Sequence, residues 1–261
     1  MCSHIRMKLK VASSNIRFDN PKDGDHDWKG RREILADVIN SFNPDLLGTQ
    51  EGWQWQLYDL KSLLEELDIS DSHRSWIDER MYPSIFYRRE DLHVLDSGDI
   101  WLSETPDVVA SKSFNSAFPR LCTWSKFKCS QKRTLLFVDV HLDHIHSETR
   151  EAQIGVLINE ISKINDCTHM ILCGDFNESP REDVRKLIVE KLGLYDPWTA
   201  HEKPEETSHH NFTGERCDGA RIDWIMLSKN ISCDAIDLHR DSHRGIFPSD
   251  HFPVFATIEL K

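Results

Sequence analysis

Four acidic residues stand at the edges of apolar runs: Glu51 after 46–49, Asp175 after 169–173, Asp223 before 224–227 and Asp250 before 252–258. Carboxylates brought together repel by ~4 kcal/mol at ~4 Å and an effective dielectric of ~20. A bound divalent cation would give such a convergence its reason. Oxygen ligation by Glu, Asp, Asn amide and water suits Mg²⁺ or Mn²⁺, which keep several waters and bind through few carboxylates plus substrate phosphate. Zn²⁺ asks for more nitrogen or sulfur.

Each segment also has a plainer structural reading. In Gly174-Asp175-Phe176-Asn177 the acid and amide are two residues apart, so in extended chain both side chains face one way. That suits a carboxylate taking a proton from water beside an amide holding the water or a phosphate oxygen; the alternative is an Asx-turn closing the strand. His251 is either a structural residue or, paired with Asp223, a cation kept for an anionic phosphate. Glu51 is either a metal ligand or a first-turn acid favoured by the following helix dipole. His141-Leu142-Asp143-His144 resembles the His-x-Asp-His of two-zinc hydrolases of the metallo-β-lactamase type, but Asp139 stands where that motif has its leading His.

Periodicity supplies the elements that position these residues. Strands are expected over 8–18, 46–49, 85–87, 92–95, 121–127, 135–142, 169–173, 222–227 and 253–260, and helices over 30–42, 53–67, 148–164 and 183–192. The first helix carries Ile34, Val38 and Phe42 on one stripe with Leu35 and Ile39 beside it, and Pro44 stops it. Segment 201–219 is polar, with a His-His pair, and reads as a mobile surface loop bordering a site. With helices flanking strands, two sheets packed face to face and covered by helices is the economical architecture.

Composition bounds the rest. The 261 residues are 39% hydrophobic, with eight Trp and twelve Phe, enough for one unit over 1–261 with its core at about 8–260. A net charge of −12 argues against coating long duplex nucleic acid, which takes broad basic surfaces. Seven cysteines with no C-x-x-C pair fit reduced thiols. No signal-like N-terminus and no apolar run of ~18 residues is present, so a soluble, cytoplasmic location is expected. Nothing in the sequence sets the oligomeric state.

Taken in order, Asn15, Thr49-Gln50-Glu51, His141, Gly174-Asp175-Phe176-Asn177, Arg221-Ile222-Asp223-Trp224-Ile225 and Ser249-Asp250-His251-Phe252-Pro253-Val254 resemble the endonuclease/exonuclease/phosphatase superfamily. The group includes DNase I-like nucleases, sphingomyelinases, inositol polyphosphate 5-phosphatases and deadenylases. The resemblance implies a four-layer α/β-sandwich of two mainly antiparallel sheets and a Mg²⁺-dependent (or Mn²⁺-dependent) attack of water on phosphorus. By the same resemblance Glu51 is the principal metal ligand with Asn15 and Asp250 nearby, and Asp175 is the base. Asn177 holds water or phosphate, Asp223–His251 stabilises the phosphorane, and His141 is a second phosphate-binding histidine. Arg17 and His141 depart from the abasic-site nuclease pattern. The stretch 101–106 followed by Phe118-Pro119-Arg120 is similar to a branch of largely uncharacterised hydrolases and puts Arg120 on the phosphate. His144, Arg17 and Trp224 are further expected substrate contacts, and Trp28, Arg31, Arg32 and Trp101 are candidates to flank the substrate. The expected activity is phosphodiester hydrolysis of a nuclease type, with phosphomonoester hydrolysis of a nucleotide, sugar phosphate or inositol/lipid headgroup as the alternative. A catalytically silent binding module is the rival from another class.

Overall fold

Neighbouring residues in a strand point to opposite faces, and that alternation builds the layers of this molecule. A computed structural model describes residues 7–130, 133–216 and 219–261. Along the chain the strands are β1 (Met7–Asn15), β2 (Leu46–Trp53), β3 (Leu67–Ile69), β4 (Met81–Arg88), β5 (His93–Trp101) and β6 (Leu121–Ser130). They continue as β7 (Arg133–His141), β8 (His169–Asp175), β9 (Leu194–Tyr195), β10 (Asp223–Ser228), β11 (Ile231–Leu238) and β12 (Val254–Leu260). The helices are α1 (Trp28–Phe42), α2 (Gln54–Leu63), α3 (Ser147–Ile161), α4 (Asp183–Leu192) and the short α5 (Pro197–Ala200).

One sheet has the order β11-β12-β1-β2-β4-β3 and the other β5-β6-β7-β8-β10-β9. Each contains one parallel pair, β1 with β2 and β7 with β8, and is otherwise antiparallel. The helices α1 and α3 make the two parallel crossovers, as such pairs require. Leu46 enters the layer between the sheets with Val11, Phe137, Ile171 and Ile225, whereas its neighbour Leu47 joins Leu35, Ile39 and Leu60 beneath α1 and α2. On the second sheet Val138 packs outward with Ile154, Leu157 and Ile188 of α3 and α4. Helix, sheet, sheet and helix therefore form the four layers expected, and each fully buried Leu, Ile or Phe contributes ~1.5–3 kcal/mol.

Several boundaries differ from the sequence reading for local reasons. The strand expected over 8–18 ends at Asn15, because Arg17 adopts a left-handed φ of 53°. In α1 the buried side is Trp28, Arg31, Leu35, Ala36 and Ile39, so the stripe of Ile34, Val38 and Phe42 is only its half-buried margin. The helix expected over 53–67 stops at Leu63, and Leu67 already belongs to β3. β11 was not expected: its exposed residues include Asp234, a type depleted in strands, which breaks the apolar alternation. Among the described residues no helix is long and apolar enough to cross a membrane.

Candidate active site

Strand register brings the predicted residues to one end of the two sheets. In the first sheet Asn15 pairs with Gln50, next to Glu51; in the second, Asp175 pairs with His141 on one side and Asp223 on the other. The Asn15 amide then crosses between sheets, donating 3.1 Å to Glu51 Oε1 and 3.0 Å to Asp175 Oδ2. Glu51 sits at a register shift between β2 and β4 with φ 66°, and its other oxygen accepts from the Phe18 amide at 3.2 Å. Arg17, Glu51 and Asn177 are all left-handed without being glycine. Such strain clusters where surrounding structure must hold a side chain in a fixed place.

Asp175 is buried, and its Oδ1 accepts from the Asn177 amide at 2.9 Å, so an Asx-turn does close β8. The turn changes the expected extended geometry: Asn177 donates its side-chain amide to Leu142 O at 3.0 Å while still lining the cavity. Asp175 Oδ2 remains in the site, 3.5 Å from His141 Nε2 and 4.0 Å from His251 Nε2. Burial foremost, with the nearby Asp223 charge, pushes the Asp175 carboxyl up to about 7 against the pull of His251.

His251 Nδ1 lies 2.9 Å from Asp223 Oδ2, the pairing expected from the sequence. Burial works against charge on this imidazole, but Asp223, Asp175 and Asp250 outweigh it and raise His251 well above the ordinary histidine value. His141 has the opposite fate, since burial foremost, and then its neighbours Arg120 and His251, push it well below. One histidine is thus held as a cation and the other neutral.

Within the segment expected to border the site as a loop, residues 208–211 are hydrogen-bonded into the site itself. Ser208 Oγ donates to Asp223 Oδ2 at 2.6 Å, the amides of His210 and Asn211 donate to Asp250 O, and the Phe252 amide donates to Ser208 O. His209 lies with its ring centroid 4.7 Å from that of His251 and its Nε2 3.8 Å from Asp250 Oδ2. Ser208 and His209 were both missed; the His-His pair in a polar segment was the available signal. A second unforeseen support is Arg31, fully buried, whose guanidinium donates to the carbonyls of Ile16, Arg17, His26 and Pro248 and so ties the chain after Asn15 to the chain before Asp250.

A cavity of about 350 Å³ is lined by Glu51, Asp175, Asp250, His251, Arg17 and Arg120, with Phe18, Met81, Phe118, His141, His144, Asn177, His209 and Ile222 completing it. Trp224 does not reach it: one residue past Asp223 in a strand, it faces the other way, is fully buried and stacks on Phe176 with centroids 4.3 Å apart. The expected substrate contact at Trp224 is therefore a core residue. Trp28 and Trp101 are likewise buried in the outer core, Arg31 is the carbonyl clamp and Arg32 pairs with Asp59, so none of these four flanks the cavity. Arg17 stays at the site, bound to Asp23 at 3.0 Å and 3.5 Å from Asp250.

The oxygen-rich edge fits a hard divalent cation. Donor atoms of Glu51, His141 and Asp175 lie within 4.8 Å of one another, and Asp250 belongs to a second such group with His209 and His251. The zinc alternative loses its carboxylate, because Asp143 accepts from Ser116 Oγ at 3.0 Å and from the amides of Ala117 and Ile145 at 2.8 Å. Those bonds outweigh burial and hold Asp143 below the usual carboxylate value.

The Exo_endo_phos model of the endonuclease/exonuclease/phosphatase family matches residues 12–251, which contain every residue of this edge. The chain belongs to that family. A Bacteroides thetaiotaomicron member of the family superposes with a TM-score of 0.89 at 29% identity, covering 99% of this chain and 100% of that one. A mannosyl-6-phosphatase of the same organism gives 0.86 at 30%, covering 96% and 99%. An uncharacterised protein, L388, of Acanthamoeba polyphaga mimivirus is 28% identical over 186 residues, 65% of this chain and 67% of that protein. The fold is thus the DNase I-like phosphoesterase fold that the motifs implied.

Proposed function

We propose that this chain is a divalent-metal-dependent hydrolase of phosphate esters, working as one unit. The observation that carries the reading is the buried line Asp223–His251–Asp175, in which a charged imidazole stands 4.0 Å from a carboxylate held up near neutrality. Glu51 and Asn15, with Asp250 nearby, would hold Mg²⁺ or Mn²⁺, and Asp175 would take the proton from water. When bound, the cation would offset charge developing on the phosphate oxygens. The charged His251, kept in orientation by Asp223, would face those same oxygens, and neutral His141 would donate a hydrogen bond to them. Asn177, on the turn after Asp175, would hold the water or a phosphate oxygen.

Small phosphorylated molecules are the proposed substrates. A cavity of about 350 Å³ suits one phosphate and a compact leaving group, the net charge of −12 disfavours long duplex DNA, and a 30% identical neighbour is a mannosyl-6-phosphatase. The test is release of p-nitrophenol from its phosphate mono- and diester in Mg²⁺, Mn²⁺ or EDTA, followed by a screen of sugar phosphates and nucleotides. Turnover that survives EDTA would sink the metal mechanism. Inactivity on every ester would favour a binding module.

A further inference from the structure

Arg120 is the anomaly of the cavity. It is 8% exposed, yet among the described residues its guanidinium makes no ion pair: Nε has no hydrogen-bond partner, and Nη2 meets only His144 Nδ1 at 3.3 Å. Glu51, Asp175 and Asp143 act on it only at longer range. Buried guanidinium groups are normally paired, and an unpaired one is costly. The side chain is nevertheless held in place. Phe118 lies beneath it, with Cζ 5.9 Å from the ring centroid, and the His144 ring stacks on Phe118 at 6.0 Å and 20°. Asp143 fixes the backbone at Ala117 and Ile145, on either side of this wall.

A site in which His251 is seated on Asp223 and an oxygen cluster is suited to a cation already has partners for a singly charged diester without Arg120. A terminal phosphate carries roughly −2 near neutral pH, and an unpaired guanidinium supplies a two-point partner for the additional oxyanion. We propose that Arg120, backed by His144 and seated on Phe118, selects doubly charged phosphate and makes terminal phosphomonoesters the preferred substrates; this rests on the hydrolase reading above. In the reaction a water oxygen bonds to phosphorus and the bond from phosphorus to the alcohol oxygen breaks. The proton taken from water ends on that alcohol oxygen.

The experiment compares p-nitrophenyl phosphate with bis-p-nitrophenyl phosphate, which share a leaving group, for wild type, R120K and R120Q in saturating Mg²⁺, with inorganic phosphate binding measured by calorimetry. R120Q should lower monoester kcat/KM by ~10²-fold and phosphate affinity by ~10-fold, change the diester less than ~10-fold, and be partly rescued in R120K. Removing an unpaired buried cation should also leave Tm at or above that of wild type. Equal losses on both esters, an unchanged phosphate affinity, or a lowered Tm with both activities lost would overturn the Arg120 assignment alone. A wild type that binds phosphate through Arg120 but cleaves neither ester would overturn the hydrolase reading instead.

Discussion

His251 is a cation because Asp223 sits 2.9 Å from its Nδ1 inside a buried pocket. Its raised value means that charge persists well above the ordinary histidine range and is lost only as pH climbs through that raised value. In Asp223→Asn the main support goes, so the alkaline limb of a kcat/KM profile should move to lower pH; an unmoved limb would show that His251 is not the titrating acid. Asp250 and His251 are adjacent yet face different partners, Arg17 and His209 for one and Asp223 for the other. Asp250→Ala should therefore raise the Mg²⁺ concentration needed for half-maximal rate, while His251→Ala should lower kcat by ~10²-fold or more with metal binding kept. Metal titrations followed by calorimetry and by rate separate the two outcomes. The Asp223–His251 pair was legible in the sequence because each residue abuts an apolar run. Trp224 was misread because motif adjacency suggested a shared role, whereas strand alternation turns neighbours to opposite faces. Ser208 and His209 left little trace, since an irregular segment has no period to betray which residues it buries.

The parallel pair β7 and β8 carries His141 and Asp175 on paired positions, and Gly174 lets those strands approach. Gly174 has φ 140°, and a Cβ there would sit 2.0 Å from Val140 O, a backbone atom that cannot swing aside. Gly174→Ala should therefore cost roughly 2–4 kcal/mol of stability, from backbone strain and overpacking together. Urea unfolding measures it, and a loss under ~1 kcal/mol would show that the strands have room to part. Most elements were legible at this scale because their apolar periods are strong, as in α3 and β8. Register was not legible, because nothing local states which residue of β8 faces His141. The pairing emerges only when both strands bury their alternate faces in the two cores.

Across the whole molecule the two sheets are joined by polar contacts as well as by the apolar layer between them. Arg74, following β3 of one sheet, bonds Ser84 Oγ at 2.9 Å within that sheet and reaches Asp99 and Thr123 of the other, with Nε 2.7 Å from Asp99 Oδ2. Burial alone would raise the Asp99 carboxyl, but Arg74, helped by His73, outweighs it and holds Asp99 far below the usual carboxylate range. A depressed carboxyl stabilises the fold above its unfolded value of about 4 and loses that contribution as pH falls through the folded value. Asp99→Asn leaves the buried Arg74 uncompensated, so it should destabilise by ~3–5 kcal/mol at pH 7. Its deficit relative to wild type should shrink below about pH 4, where the wild-type carboxyl begins to lose the same advantage. Denaturant unfolding of both proteins at pH 7 and pH 3 measures the two gaps. Equal gaps would mean that the sheets are joined by packing and neutral hydrogen bonds, with the Arg74–Asp99 charge pair adding nothing of its own.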